Sequence, residues 1–441
     1  MGRLLLVLLL LVACQSLAAP CLDFAAPRTV GPALIGAASV SAGDFNGDGL
    51  PDLAVAQMAF PGTLQVLINQ GSSFQTNRLY TIGDGANCIA TADFNGDHRL
   101  DVAITCVFSD QLYVLMGLGD GAFAPARIYA TRRSPSFVTA ADLNEDGHTD
   151  LIVANADFAN VSVFLGHGDG TFAAAVDYPA DATPLGIAVA DFDGDGHLDL
   201  LVANNGSPGQ NYNFVDGKLS LLRGKGDGTF RATTNLSVPF HPVAVTTGDF
   251  NRDGRADLGF IFSDGLTVLL GHGDGSFGTN VNYATGRAPV ALAMNDFDGD
   301  LIPDLVVASS TNLAVYRGLG DGAFRPPVVI PRNAPAQSVA AIDLNADGNI
   351  DIIEGEQSGG NVWVLTSTCV ARPVKLSIAR SKNTISVSWP SSATGFTLEN
   401  ATDFLAGPWQ INSVPPHLAA DQWMVAITNS PPRSFYRLRK P

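Results

Sequence analysis

The chain is short of positive charge, of charged residues in general and of long apolar runs. Only 25 of its 441 residues are lysine or arginine against 42 acidic ones, a net charge of −17. A surface of that sign repels phosphate backbones, which excludes nucleic-acid binding through a general basic surface. The apolar run Leu4–Val12 has nine residues, too few to span a bilayer, and no later segment is long enough either. Common catalytic signatures are missing: there is no G-x-S-x-G, H-E-x-x-H, G-x-x-x-x-G-K-[ST] or C-x-x-C. The seven histidines (98, 148, 167, 197, 241, 272, 417) form no ligand cluster in sequence. Helical periodicity of useful length is absent, and 46 glycines with 26 prolines point to short strands and many turns.

The run at the N-terminus suits an export signal, with small residues at Ser16 and Ala18 placing the cut after Ala18 (signal 1–18). Leu11-Val12-Ala13-Cys14 offers a rival reading as a lipidation box at Cys14. The mature chain is expected to be secreted or held at the cell surface in both cases.

What the chain does have is a repeat. DFNGDGLPD (44–52) recurs as DFNGDHRLD (93–101), DLNEDGHTD (142–150), DFDGDGHLD (191–199), DFNRDGRAD (249–257), DFDGDLIPD (296–304) and DLNADGNID (343–351), at intervals of 49, 49, 49, 58, 47 and 47 residues. Around each stretch the parts follow one order: a short apolar segment, the aspartate loop, a strand, a third strand that runs in five units into a Gly-Asp-Gly turn, and, in all but the last unit, a fourth strand such as the one ending near Tyr178. Four antiparallel strands in each of seven units predict an all-β, seven-bladed propeller. An open solenoid is the alternative. The ends of the repeat argue for a ring: Phe24–Val30 looks like a fourth strand, and the last unit lacks one. The N-terminal strand is therefore expected to complete blade seven and remove the open edges.

Exported cysteines tend to pair. Cys21 and Cys369 flank the expected closure and predict a bridge across it. Cys88 and Cys106 stand five residues to either side of the second loop and predict a bridge within blade two, with two buried thiols as the alternative.

In each loop, positions 1, 3, 5 and 9 carry side-chain oxygen, and the carbonyl of position 7 can join them. The candidate metal ligands are Asp44, Asn46, Asp48 and Asp52; Asp93, Asn95, Asp97 and Asp101; Asp142, Asn144, Asp146 and Asp150; Asp191, Asp193, Asp195 and Asp199; Asp249, Asn251, Asp253 and Asp257; Asp296, Asp298, Asp300 and Asp304; and Asp343, Asn345, Asp347 and Asp351. Sets of hard oxygen donors suit calcium, with magnesium second. Five loops hold three of these aspartates and two hold four, 23 of the 42 acidic residues, so seven divalent ions would bring −17 to −3. Asx-rich turns without metal are the alternative. Glycine at position 6 suits a positive φ, and His98 and Leu301 stand there in loops two and six, where the weakest binding is expected. Asp120, Asp169, Asp227, Asp274 and Asp321 read as hairpin-turn residues instead.

With their G-x-G-D-G-x-F turns, these seven loops resemble FG-GAP (VCBS-type) repeats like those of integrin α-subunit propellers, over residues 22–370. The resemblance implies a seven-bladed propeller with calcium between the first and second strands of each blade. Residues 374–441 carry Trp389, Trp409 and Trp423 and look like a small fibronectin-III-like β-sandwich, its tryptophans serving as core or as a carbohydrate platform.

The 58-residue interval arises from an insertion, Asn204–Gly217, between strands two and three. It is expected on the face opposite the aspartates, where Tyr212 and Phe214 could stack on a sugar or a partner. Arg132, Arg133, Arg287 and Arg332 lie in fourth-to-first connections and are expected on that face too, a solvated insertion with scattered arginines being the alternative. The functional expectation is a non-enzymatic calcium-binding adhesion or interaction module for an extracellular protein or polysaccharide. A lectin binding sugars between blades is the second reading, and a calcium-dependent polysaccharide lyase with a Lys, Arg or Tyr base the third.

Overall fold

This computed structural model describes residues 21–31, 36–208, 214–238, 240–332, 334–356 and 359–369, together with the strands between 377 and 439. The expected export signal and Cys14 lie outside the described residues, as do Tyr212 and Trp409. Two compact units divide at residue 370.

The first unit consists of seven four-stranded antiparallel sheets arranged as the blades of a propeller, plus a two-stranded ribbon. Blade one is typical: Ala37–Gly43, Asp52–Gln57, Thr63–Asn69 and Phe74–Thr81, each paired with the next. The second strand is buried at every position in all seven blades. Each blade is covered on both sides, so this strand has no solvent face and reads as a continuous apolar run rather than an alternating one. The clusters show the stacking: Ala54, Ala56, Leu64 and Val66 of blade one meet Ile89, Val102, Ile104 and Leu115 of blade two. On its other side, Leu53, Val55 and Leu67 meet Ile353, Val362 and Val364 of blade seven. Each such leucine or valine contributes on the order of 1.5–3 kcal/mol by burial.

The first strands converge on the axis and carry no charged residue. Small side chains dominate there, and the Ser41 and Thr91 hydroxyls hydrogen-bond across neighbouring blades at 2.7 Å. A cavity of about 360 Å³ opens among the first strands of blades three to five, against Thr139, Ile187 and Thr246.

Closure occurs as the ends of the repeat require. Arg28–Val30 pairs antiparallel with Val362–Val364 and supplies the fourth strand of blade seven. Cys21 and Cys369 are joined, with Cα atoms 5.6 Å apart. Phe24 bridges Ser367 and lies edge-on to Phe297, the place taken in blade two by Phe123 against Phe45.

The second expected bridge does not form: Cys88 and Cys106 are free thiols. A bulge between Ala86 and Cys88 sets Cys88 opposite Thr105 and Ala86 opposite Cys106. Because side chains alternate across a sheet, the two sulfurs then face opposite sides of the blade. Cys106 packs toward blade one, and the Cys88 thiol donates to the Val138 carbonyl of blade three.

In the second unit, Ser377–Ser381, Thr384–Pro390, Gln422–Thr428 and His417–Ala419 form a four-stranded antiparallel sheet. Gln410–Ile411, Thr397–Ala401 and Phe435–Arg439 form a three-stranded one.

Candidate metal centre

Every aspartate stretch forms the connection between first and second strands, and its side chains hold the loop by a network repeated seven times. The position 1 carboxylate accepts the N–H of position 6 at 2.7–2.9 Å. The position 5 carboxylate accepts the N–H of position 7 at 2.8–3.1 Å. These bonds coil the chain so that successive carboxylates converge, and the coil has two left-handed residues. Position 6 has φ between 65° and 89° in all seven loops, His98 and Leu301 included. Position 4 is also left-handed throughout, at Gly47, Gly96, Glu145, Gly194, Arg252, Gly299 and Ala346. The sequence carries this second signal too, as glycine at position 4 in four loops of seven.

The position 9 aspartates differ from the others. Asp52, Asp101, Asp150, Asp199, Asp257, Asp304 and Asp351 are 0% exposed. One oxygen accepts the N–H of position 2 at 2.8–3.1 Å. The other accepts an N–H at or just beyond the end of the third strand at 2.7–2.8 Å. Each thus ties the loop to the end of the third strand of its own blade. Burial pushes their carboxyls up, to about 6 for Asp52, Asp101, Asp199 and Asp351 and to about 7 for Asp304, against the lowering pull of the two N–H groups.

Position 3 sorts the loops into two kinds. Where it is asparagine, its amide donates to the position 5 carboxylate in loops one, two, three and five. Where it is aspartate, an arginine of the same blade approaches it: Arg223 Nε lies 3.2 Å and Arg231 3.5 Å from Asp193, and Arg317 3.9 Å from Asp298. The fourth carboxylate of loops four and six is therefore already partly balanced. In these two loops the carboxylate oxygens of Asp191, Asp193 and Asp199, and of Asp296, Asp298 and Asp304, lie within 4.8 Å of one another. The Asp298 carboxyl is raised to about 6, by burial first and then by the charges of Asp300 and Asp296. Clustered oxygens with no nitrogen or sulfur among them fit a hard cation such as calcium.

The Gly-Asp-Gly turns lie on the same face and serve the packing of blades. Asp169, Asp227 and Asp274 each accept the N–H two residues on. Gly121, Gly170, Gly228, Gly275 and Gly322 donate their N–H groups to the position 2 carbonyl of the preceding blade's loop. The phenylalanine closing each turn meets the position 2 residue of that same loop, a phenylalanine in Phe94–Phe172, Phe192–Phe277 and Phe250–Phe324 and Leu143 beside Phe230.

On the opposite face, Arg132, Arg133 and Arg287 are exposed. Arg132 pairs with Asp177 at 2.5 Å and stands over the Phe158 ring. Arg332 does not join them. Its side chain is 6% exposed, 2.9 Å from the buried Glu354 and over the Trp363 ring, so it serves blade seven and is withdrawn from any ligand. The insertion contains a short ribbon, Ser207–Pro208 paired with Phe214–Val215, which places the Phe214 backbone between strands two and three of blade four. Three residues that sequence reasoning passed over stand out on this face: Phe60, Phe108 and Phe158, each in a second-to-third connection, are 71%, 57% and 54% exposed. Their signal was an aromatic residue seven or eight positions beyond the last loop aspartate, in three consecutive repeats.

FG-GAP-like repeats match the sequence at residues 44–104, 142–202, 211–260 and 296–353. No curated protein matches it in sequence. Among solved structures, the fold is similar to BBS1N crystallised in complex with ARL6DN. The mercury-soaked crystal has a TM-score of 0.58 and the lead-soaked one 0.56, each at 14% identity over 80% of this chain and 98% of that one. A lectin from Agrocybe aegerita that recognises non-reducing terminal N-acetylglucosamine aligns at 19% identity over 67% of this chain and 80% of that one, with a TM-score of 0.48.

Proposed function

Since this chain belongs to the FG-GAP-like repeat family, we propose that it is an exported, calcium-stabilised interaction module that engages an extracellular protein or glycan. The single observation carrying this reading is the sevenfold recurrence of an oxygen-only loop at the same corner of each blade. The residues that would hold calcium are those at positions 1, 3, 5 and 9 of each loop. Bound there, the ion supplies the positive charge that offsets mutual repulsion among the carboxylates. Position 6 is left-handed in loops two and six without glycine, so their affinity is expected to be the lowest.

Export is supported by the Cys21–Cys369 bridge, which persists only where thiols are not kept reduced. Among the described residues no helix is long and apolar enough to cross a membrane. Binding is assigned to the face opposite the aspartate loops, because a rigid ring presents its second-to-third and fourth-to-first connections there. The test is metal analysis of the purified chain with melting curves before and after chelation. Bound calcium and a lower melting temperature in chelator are expected. An ion-free chain that melts identically would refute the reading.

A further inference from the structure

We propose that Phe60, Phe108 and Phe158 form a docking surface for a polypeptide segment that presents apolar side chains next to basic ones. The proposal rests on the interaction-module reading and assigns it a place and a partner chemistry.

The three rings occupy equivalent connections of blades one, two and three, more than half exposed in each case. Phe60 and Phe108 stack with centroids 5.1 Å apart and planes 20° from parallel. The surface continues from there. The connection carrying Phe108 accepts the Thr131 N–H at Asp110, and Ser134 donates to both Asp110 and Asp157. Arg132, between them, lies over the Phe158 ring. The fold does not demand these rings, because the matching connections of blades five and six are Ser263-Asp264 and Ser310-Thr311. At 150–250 Å² per aromatic side chain, the three leave roughly 270–450 Å² of aromatic surface in water. That equals the largest apolar patch of an ordinary monomer and is about half of one side of a stable protein interface.

The partner's chemistry follows from what surrounds the rings. Phenylalanine has no hydroxyl or indole N–H to orient a sugar, and Asp110 is already committed to Ser134. A glycan would find a dry platform with few hydrogen-bonding groups, whereas apolar side chains need none. Asp84 and Asp157 are exposed beside Phe108 and Phe158 and Asp110 adds a third carboxylate, against the exposed Arg133, while Arg132 is engaged with Asp177, so the charge around the rings stays net negative and favours a basic neighbour.

The test uses phage-displayed random linear peptides as probe, selected on the full chain in calcium and counter-selected on a Phe60→Ser/Phe108→Ser/Phe158→Ser variant. Enriched peptides should carry an apolar residue flanked by lysine or arginine. Synthetic copies should bind the parent chain about tenfold or more tighter than the Phe108→Ser variant. Melting should be unchanged, because the rings are exposed. If the triple variant melts lower, the single Phe108→Ser and Phe158→Ser variants give the same reading. Peptides that bind variant and parent alike, a selection that enriches nothing, or soluble neutral glycans retained by the rings instead would each overturn the proposal. Failure of the calcium reading would appear separately, as an ion-free, chelator-insensitive chain.

Discussion

Asp199 and Asp195 lie four residues apart in one loop, yet their replacement by alanine should have unlike consequences. Asp199 is fully buried and accepts the N–H groups of Phe192 at 2.9 Å and Gly224 at 2.7 Å. Asp199→Ala leaves both without a partner and out of reach of water. An unsatisfied buried group costs about 1–3 kcal/mol, so the pair costs about 2–6 kcal/mol with or without metal. For a propeller of roughly 350 residues the unfolding entropy converts that to a fall of about 3–8 °C in melting temperature. Asp195 accepts the N–H of His197 at an exposed corner and pairs with Arg231. Water replaces it there, so in chelator Asp195→Ala should cost less than about 1 kcal/mol. In calcium, both variants are expected to lose a ligand of the proposed site as well. The assay is scanning calorimetry of the parent and both variants, each with calcium and with chelator. Equal melting of Asp199→Ala and parent in chelator would refute the view that position 9 is a structural tie as well as a ligand.

Other outcomes are open to similar measurement. In the metal-free chain the position 9 carboxyls sit above their unfolded value, at about 6 to 7 in five loops. The folded state then binds more protons than the unfolded one between about pH 4 and 7. Its stability is fullest below that window and falls as pH rises through it. Melting temperature in chelator should therefore drop from pH 5 to pH 8, and the gain on adding calcium should grow over the same range; a gain independent of pH would contradict this. Cys21→Ser/Cys369→Ser should cost about 2–5 kcal/mol by freeing the strand that closes the ring, and reductant should lower the parent's melting temperature to match. Leu301→Gly should stabilise by about 0.5–1 kcal/mol, since Leu301 is left-handed at φ 72° and 48% exposed, with little packing to lose. Arg332→Met should destabilise by about 3–5 kcal/mol by leaving Glu354 buried and unpaired. Adding Glu354→Leu should restore most of that loss, and denaturant titration of the three chains reads it.

Period and composition made much of this molecule legible before any coordinates. Seven loops spaced 47 to 58 residues apart specify seven blades, because each unit holds four strands and cannot bury both faces alone. Phe24–Val30 could be assigned to blade seven because its pattern matched the strand that the last unit lacks. The loop oxygens were readable because an Asp/Asn spacing of two is a local property of the chain. What lay beyond reach depended on contacts between units or on single-residue shifts of register. The bulge after Ala86 sends Cys88 and Cys106 to opposite sides of one sheet, and no spacing rule records a bulge. Arg332 turns inward because a buried Glu354 replaces the apolar residue other blades carry, and only the assembled blade interface decides which way an arginine points. The tie made by the position 9 aspartates likewise needed the third strand to arrive beside the loop. The repeat, the ring and the acidic corners were written into the chain, since they follow from local chemistry and count. Tertiary structure alone decided which side chains remain free at the surface, because exposure depends on what neighbouring blades cover.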